Sequence, residues 1–272
     1  RPGSYVNPQY LRDRGNGGQM VDMKRVYPTG FKGIGNDNAL VRQYLMHFFV
    51  TEDSYQPYSQ TVQDDYLRRL FAETKILNGL GDMERWYSLL NDPVYYENLK
   101  DRVEIEFLPT LKRYYGSGDQ VSMALDVKNV KTLLVKVFEI NAFNYYRQKN
   151  RNVDASINLD GLIANKEMAK TYDADPMRRI RRTFEFPSLS GPGVYVVEFI
   201  GNGISSRAVI QKGRLQYTQR LGAAGHVLMV RDEAGDLLKD ATAWFGGRNY
   251  VGDEDGEIVI PYSTKPGSRP LI

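Results

Sequence analysis

The chain has 272 residues, with 36 Lys plus Arg against 33 Asp plus Glu, two His, no Cys, 42% hydrophobic residues and 12% aromatics. That length allows one large domain or two to three small ones and can bury a real core, which excludes disorder throughout. A net charge of +3 carries no polybasic footprint for nucleic acid or an anionic membrane, and no apolar run approaches the roughly 18 residues of a membrane span. The missing Cys removes disulfide frameworks, thiolate zinc sites and cysteine nucleophiles together, and leaves the compartment open.

Residues 1–36 hold Pro2, Pro8 and Pro28 among many Gly and Asn, without a sustained apolar period. They read as an extended arm. Because the arm carries Tyr5, Tyr10, Val21, Met23, Val26, Tyr27 and Phe31, it is expected to lie against another surface. A helical unit follows over 37–102. Asp37 or Asn38 caps a helix through Phe49; from Thr61, Val62, Tyr66, Leu67, Leu70, Phe71, Thr74 and Leu77 recur at helical spacing until Asn78-Gly79. Asp82 opens a shorter helix with Met83, Trp86, Tyr87 and Leu90, which Asn91-Asp92-Pro93 stops, and one or two turns over Val94 to Leu99 complete the unit.

After residue 102 the period changes to two. Val103-Ile105-Phe107, Gln120 to Val127, Leu133 to Ile140, Arg182 to Phe186, Gly193 to Ile200 and Arg207 to Ile210 alternate as strands, separated by turns at Gly116-Ser117-Gly118-Asp119, Gly191-Pro192 and Gly201-Asn202-Gly203. Short strands, Gly-rich turns and no interleaved helices predict an antiparallel sandwich over 103–213. Its core is expected to hold Val121, Met123, Leu125, Val135, Val137, Ile140, Tyr195, Val197 and Val209. A second strand set follows: Leu215 to Arg220, Gly225 to Arg231, Ala241 to Phe245, Asn249 to Val251 and Glu257 to Ile260. Only 59 residues remain from Arg214, against roughly 100 for a complete seven-strand sandwich, so 214–272 is expected to be incomplete and the chain a fragment of a longer protein.

Two stretches carry a family resemblance. Tyr114 to Asp119 leading into Gln120 to Val127 and Leu133 to Ile140, closed by Gly193-Val194-Tyr195-Val196-Val197-Glu198 and Ser206-Arg207-Ala208-Val209-Ile210, resembles the paired strands of macroglobulin-type (MG) β-sandwich domains. Val230 to Trp244 with Asp253-Glu254-Asp255-Gly256-Glu257-Ile258 is similar to the hairpins of MG and carboxypeptidase-regulatory-like domains. The resemblance, to the α2-macroglobulin-like family, implies mainly β architecture: tandem antiparallel Ig-like or MG-like sandwiches preceded by the helical unit and the arm. It also implies an extracytoplasmic or cell-surface setting. The family's thioester needs a Cys that this sequence lacks.

No catalytic, cofactor-binding or metal-binding residues emerge. Asp253-Glu254-Asp255-Gly256-Glu257 lacks the spacing of a calcium loop and reads as a β-turn with solvated acids. Gly30 to Gly35 lacks dinucleotide spacing, and His47 and His226 sit in different units. The cluster Arg178, Arg179, Arg181 and Arg182 could contact an acidic partner, with Asp173, Asp175 and Glu185 as internal neutralisers; exposed in a loop, it would also be a proteolysis point. The expected function is non-catalytic: a structural, protein-interaction segment of a larger macroglobulin-like or fibre-forming protein. Its partners are the rest of the same chain, or further copies assembled through the arm, with neither nucleic acid nor membrane insertion. The alternative is a carbohydrate-binding or enzyme-accessory sandwich in which exposed Tyr and Trp244 stack on sugars, marked by a planar row of aromatics on one sheet face.

Overall fold

The structure is a computed structural model that describes residues 5–13, 37–265 and 267–272. Of the expected arm, residues 1–4 and 14–36 lie outside the described residues. The chain folds as two compact units, one of residues 1–104 with 173–180, the other of 105–172 with 181–272.

The first unit is helical: α1 (Pro8–Asp13), α2 (Asn38–Phe49), α3 (Asp64–Asn78), α4 (Met83–Leu90) and α5 (Pro93–Asp101). Its centre is α3, buried all round from Leu70 to Leu77, so that even Glu73, Thr74 and Lys75 are inside. Phe71 of α3 meets Phe49 and Trp86 edge-on at 5.1 and 5.6 Å, the arrangement aromatic quadrupoles favour. The helix ends where Gly79 turns left-handed (φ 61°), with the N–H of Gly79 donating to Ile76 and that of Leu80 to Lys75, a Schellman closure. Asp82 and Asp92 start α4 and α5 by accepting from backbone N–H groups two or three residues on. At the start of the chain the structure departs from the expected extended arm. Pro8–Asp13 is helical, and Tyr5 is buried against Tyr66, fixed by a bridge between Val6 and Val62.

The second unit is β. Its larger sandwich sets a sheet in the order β1-β3-β6 against one in the order β2-β8-β7-β4-β5. These strands are β1 (Glu104–Phe107), β2 (Tyr114–Tyr115), β3 (Ser122–Lys128), β4 (Thr132–Ile140), β5 (Lys166–Thr171), β6 (Arg179–Glu185), β7 (Gly193–Gly201) and β8 (Ile204–Lys212). In immunoglobulin terms β1, β3 and β6 are strands A, B and E, and β4, β7 and β8 are C, F and G. The β7–β8 hairpin closes on two residues, Asn202 and Gly203, both at positive φ, whose twist matches that of the strands. Inside, Val121, Met123, Leu125, Val135, Val137, Tyr195 and Val197 are buried as expected. Phe199 is enclosed by the rings of Phe107, Phe184 and Phe186 at 5.6, 5.1 and 6.4 Å.

Ile140 and Val209 belong to the opposite face of the five-stranded sheet. Between β4 and β5 the chain inserts α6 (Ala142–Lys149) and a loop whose Val153, Ile157 and Leu159 pack on Phe138 and Val196, with Ile140 and Val209 at the margin. This helix breaks the expectation of a sandwich without interleaved helices, although strands dominate after residue 102 as expected. It also explains why β4 and β7 read as near-continuous apolar runs: both of their faces are covered. A smaller sandwich follows, with β9 (Gln216–Leu221), β10 (Gly225–Arg231) and β13 (Ile258–Pro261) in the order β13-β10-β9, and β11 (Thr242–Phe245) paired with β12 (Arg248–Val251). Leu228, Ala243, Ile258 and Ile260 form its core. The molecule is mainly β, with tandem antiparallel Ig-like sandwiches and a small helical region before them.

Candidate interaction surfaces

In the helical unit one group of charges is drawn into the core. The carboxylate of Glu73, fully buried on α3, accepts from Arg42 at 2.5 Å, Arg102 at 2.6 Å and the Tyr95 hydroxyl at 2.7 Å. Burial pushes this carboxyl up, but the two guanidinium charges and the hydrogen bonds from Arg42 and Tyr95 outweigh it and hold the group at about 2. Burial and the neighbouring Glu73 raise the Tyr95 phenol to about 12. Arg102 also bonds Glu104, which in turn accepts from Arg179 at 2.5 Å. The network ties α2, α3, α5 and the 173–180 segment together around an ionised Glu73. That is a structural arrangement, since proton transfer near neutral pH needs a group poised there.

The four arginines singled out in the sequence fall into different settings. Arg178 lays its guanidinium over Gly79, where an added Cβ would lie 1.5 Å from its Nη1, and so stands at the carbonyl end of α3. Arg179 pairs with Glu104, Arg181 makes a two-point contact with Asp126 at 2.9 and 3.1 Å, and Arg182 stacks on the Tyr172 ring at 4.1 Å. The paired carboxylates are thus Glu104 and Asp126, where the sequence pointed to Asp173, Asp175 and Glu185. Arg179 to Arg182 lie in β6 rather than in a loop.

Two rows of apolar side chains also face solvent. On α2 the residues Leu40, Tyr44 and Phe48, spaced by four, form one row at 54%, 60% and 44% exposure, while Leu45, Met46 and Phe49 fill the core behind. Leu215, just before β9, and Tyr217 and Leu221 on it are 69%, 60% and 71% exposed. The sequence did not single out the α2 row, because its residues also fit a helix buried on two sides. Trp244, a candidate sugar platform, is half-buried with Arg147 over its ring at 5.4 Å. Asp253 closes a tight turn by accepting from the N–H groups of Asp255 and Glu257. Among the described residues no three His, Asp or Glu side chains converge as a metal site would need, and no helix is long and apolar enough to cross a membrane.

Comparison with known proteins adds to this geometry. Residues 1–103 match a family model described as the actin-binding protein F N-terminal domain, and 133–213 match one described as the AbpF first immunoglobulin-like domain. The second match falls on the larger sandwich and confirms its Ig-like character. Actin-binding protein F of Dictyostelium discoideum is 36% identical over 98% of this chain, which covers 11% of that protein's length. Two solved structures of native α2-macroglobulin from Escherichia coli are also similar. One spans domains MG0-NIE-MG1 (13% identity, 63% of this chain and 64% of that chain, TM-score 0.37). The other spans NIE-MG1 (15% identity, 63% and 96%, TM-score 0.38).

Proposed function

We propose that this chain is a non-catalytic, protein-binding segment of a longer polypeptide and that its partner is the actin filament. The observation that carries this reading is the 36% identity along 98% of the chain to a protein named for binding actin. In support, the exposed apolar row on α2 has the chemistry of a contact surface, and the buried Glu73 carboxyl is held ionised by its arginine partners, which suits a scaffold. The organisation we propose is the helical unit over 37–102 with Tyr5–Asp13 packed on it, the Ig-like sandwich over 103–213 and the smaller sandwich over 214–272. An actin partner sets the chain with the cytoskeleton, in place of the extracytoplasmic setting that the macroglobulin resemblance implies.

The contact surface assigned to this function is the α2 row of Leu40, Tyr44 and Phe48, since an amphipathic helix presenting anchors at every fourth residue fits an apolar groove on a partner. Cosedimentation of the full 272-residue chain with actin filaments tests the reading. The chain is expected in the pellet, and the double variant Leu40→Glu, Phe48→Glu in the supernatant, with affinity lowered at least about tenfold and the melting temperature unchanged. A wild-type chain that stays in the supernatant at saturating filament sinks the actin reading. Equal binding by the variant moves the contact off α2.

A further inference from the structure

The smaller sandwich is closed at one side and open at the other. Across the sheet β13-β10-β9 the register sets Ile258, Leu228 and Gln219 in one row, Ile260, His226 and Leu221 in the next, and Val230 beside Tyr217. These side chains share the face that meets β11 and β12, because directly paired residues point the same way. Along that face burial falls off steeply. Ile258 and Ile260 on β13 are buried, Leu228 on β10 is buried with Val230 half-covered, and Tyr217 and Leu221 on β9 are mostly in solvent. The covering layer therefore stops one strand short.

That layer also shows where the missing strand belongs. All four residues of β11 pair with β12 on one edge, from Thr242 with Val251 to Phe245 with Arg248. On its other edge Phe245 bridges Leu271 antiparallel; Trp244 donates to the carbonyl of Ile272 at 2.8 Å and accepts from its N–H at 3.0 Å. Of the two strands, β12 packs more closely on β13. The ladder begun at Leu271 thus lies on the β9 side, and a third strand there adds about 4.8 Å of width, one strand spacing.

We propose that the open face of β9 is covered by a β-strand that continues the Leu271–Ile272 ladder along β11, supplied by polypeptide following Ile272. An antiparallel continuation sets the first residue after Ile272 opposite Ala243, which faces the core, and the third residue two places further along the same face. Apolar residues at those two positions would cap Tyr217 and Leu221. The similar protein from Dictyostelium, of which this chain covers 11%, has the length to supply such a segment. The occupant is accordingly the same polypeptide, and a second copy of the chain is the alternative that the experiment must separate.

Hydroxyl-radical footprinting reads side-chain exposure at Tyr217 and Leu221 directly. It is to be run on the 272-residue chain and on one extended through the next domain's length of natural sequence, with masses from light scattering. Both should be monomers, with oxidation of Tyr217 and Leu221 at least about fivefold slower in the extended chain and that of Tyr114, on the other sandwich, unchanged. Unchanged oxidation in the extended chain overturns the proposal. So does protection already present in a 272-residue dimer, which assigns the face to a second copy. Tyr217→Glu, exposed in the shorter chain and so tolerated there, should restore fast oxidation of Leu221 in the extended chain.

Discussion

The hydroxyl of Tyr195 donates to the carbonyl oxygen of Gly191, four residues earlier, at 2.9 Å. Tyr195 lies near the start of β7, and this back-bond is the tyrosine corner of immunoglobulin-like domains, here without the cysteine that antibodies carry two residues on; Val197 fills that place. Removing the hydroxyl leaves a partly buried carbonyl without its partner. Tyr195→Phe should therefore destabilise the chain by about 1–2 kcal/mol, read as a lower urea midpoint with an unchanged slope.

The Glu73 network has a defined pH response. The carboxyl is held at about 2 in the folded chain, against an ordinary value of 4.5, so its contribution is complete above about pH 4.5 and lost as pH falls toward 2. Stability should be flat from neutral pH to about 5 and then drop on acidification. In Glu73→Gln the drop should be smaller, from a baseline lowered by roughly 3 kcal/mol, since two guanidinium groups lose their shared anion. Urea titrations at pH 3 and pH 7 on both proteins check this.

Two glycines at positive φ should respond differently to the same substitution. At Gly203 (φ 84°) an added Cβ meets nothing within 4 Å, so Gly203→Ala carries only the backbone strain of the hairpin, about 1 kcal/mol. At Gly225 (φ 153°) it would stand 2.1 Å from the carbonyl oxygen of Ile260, backbone on the paired strand. Gly225→Ala should lower the melting temperature more, and hydrogen exchange should speed up in β10 and β13 first.

Limited tryptic digestion tests where the arginine cluster lies. Because Arg179 to Arg182 belong to β6, with Arg181 held by Asp126, brief digestion should spare them and cut first at Arg151, exposed in the loop after α6. Early cleavage at Arg181 would show that β6 opens in solution.

The strands with two covered or alternating faces were legible: β3, β4, β7 and β10 carry enough Val, Ile and Leu to declare themselves, and Asn202-Gly203 announced the hairpin. So did the helices capped by Asp82 and Asp92. What the sequence hid was the material whose burial is decided at long range. Lys166 to Thr171 has no period-two signal because β5 is an edge strand exposed on both faces. Tyr114–Tyr115 is too short to show a pattern and is a strand only because β8 lies beside it. The helix at Ala142–Lys149 has no buried residue of its own; the loop after it does the covering. As for the arginines, spacing revealed their density but not that Glu104 and Asp126, 75 and 55 residues away, would meet them.

The pairing of β2 with β8 gives the larger sandwich a mechanical character. The two strands run parallel, Tyr114 beside Gln211 and Tyr115 beside Lys212, joined where Gln211 donates to Arg113 at 2.8 Å and Gly213 to Tyr115 at 2.9 Å. Tension that draws the chain before Tyr114 away from the chain after Lys212 pulls parallel neighbours in opposite directions along their own axes. Their bonds are then sheared together rather than peeled one by one, as they would be in a hairpin pulled at its open end. Under load this sandwich resists up to a threshold and then yields abruptly, a latch whose strength is set by a few backbone hydrogen bonds at one rim.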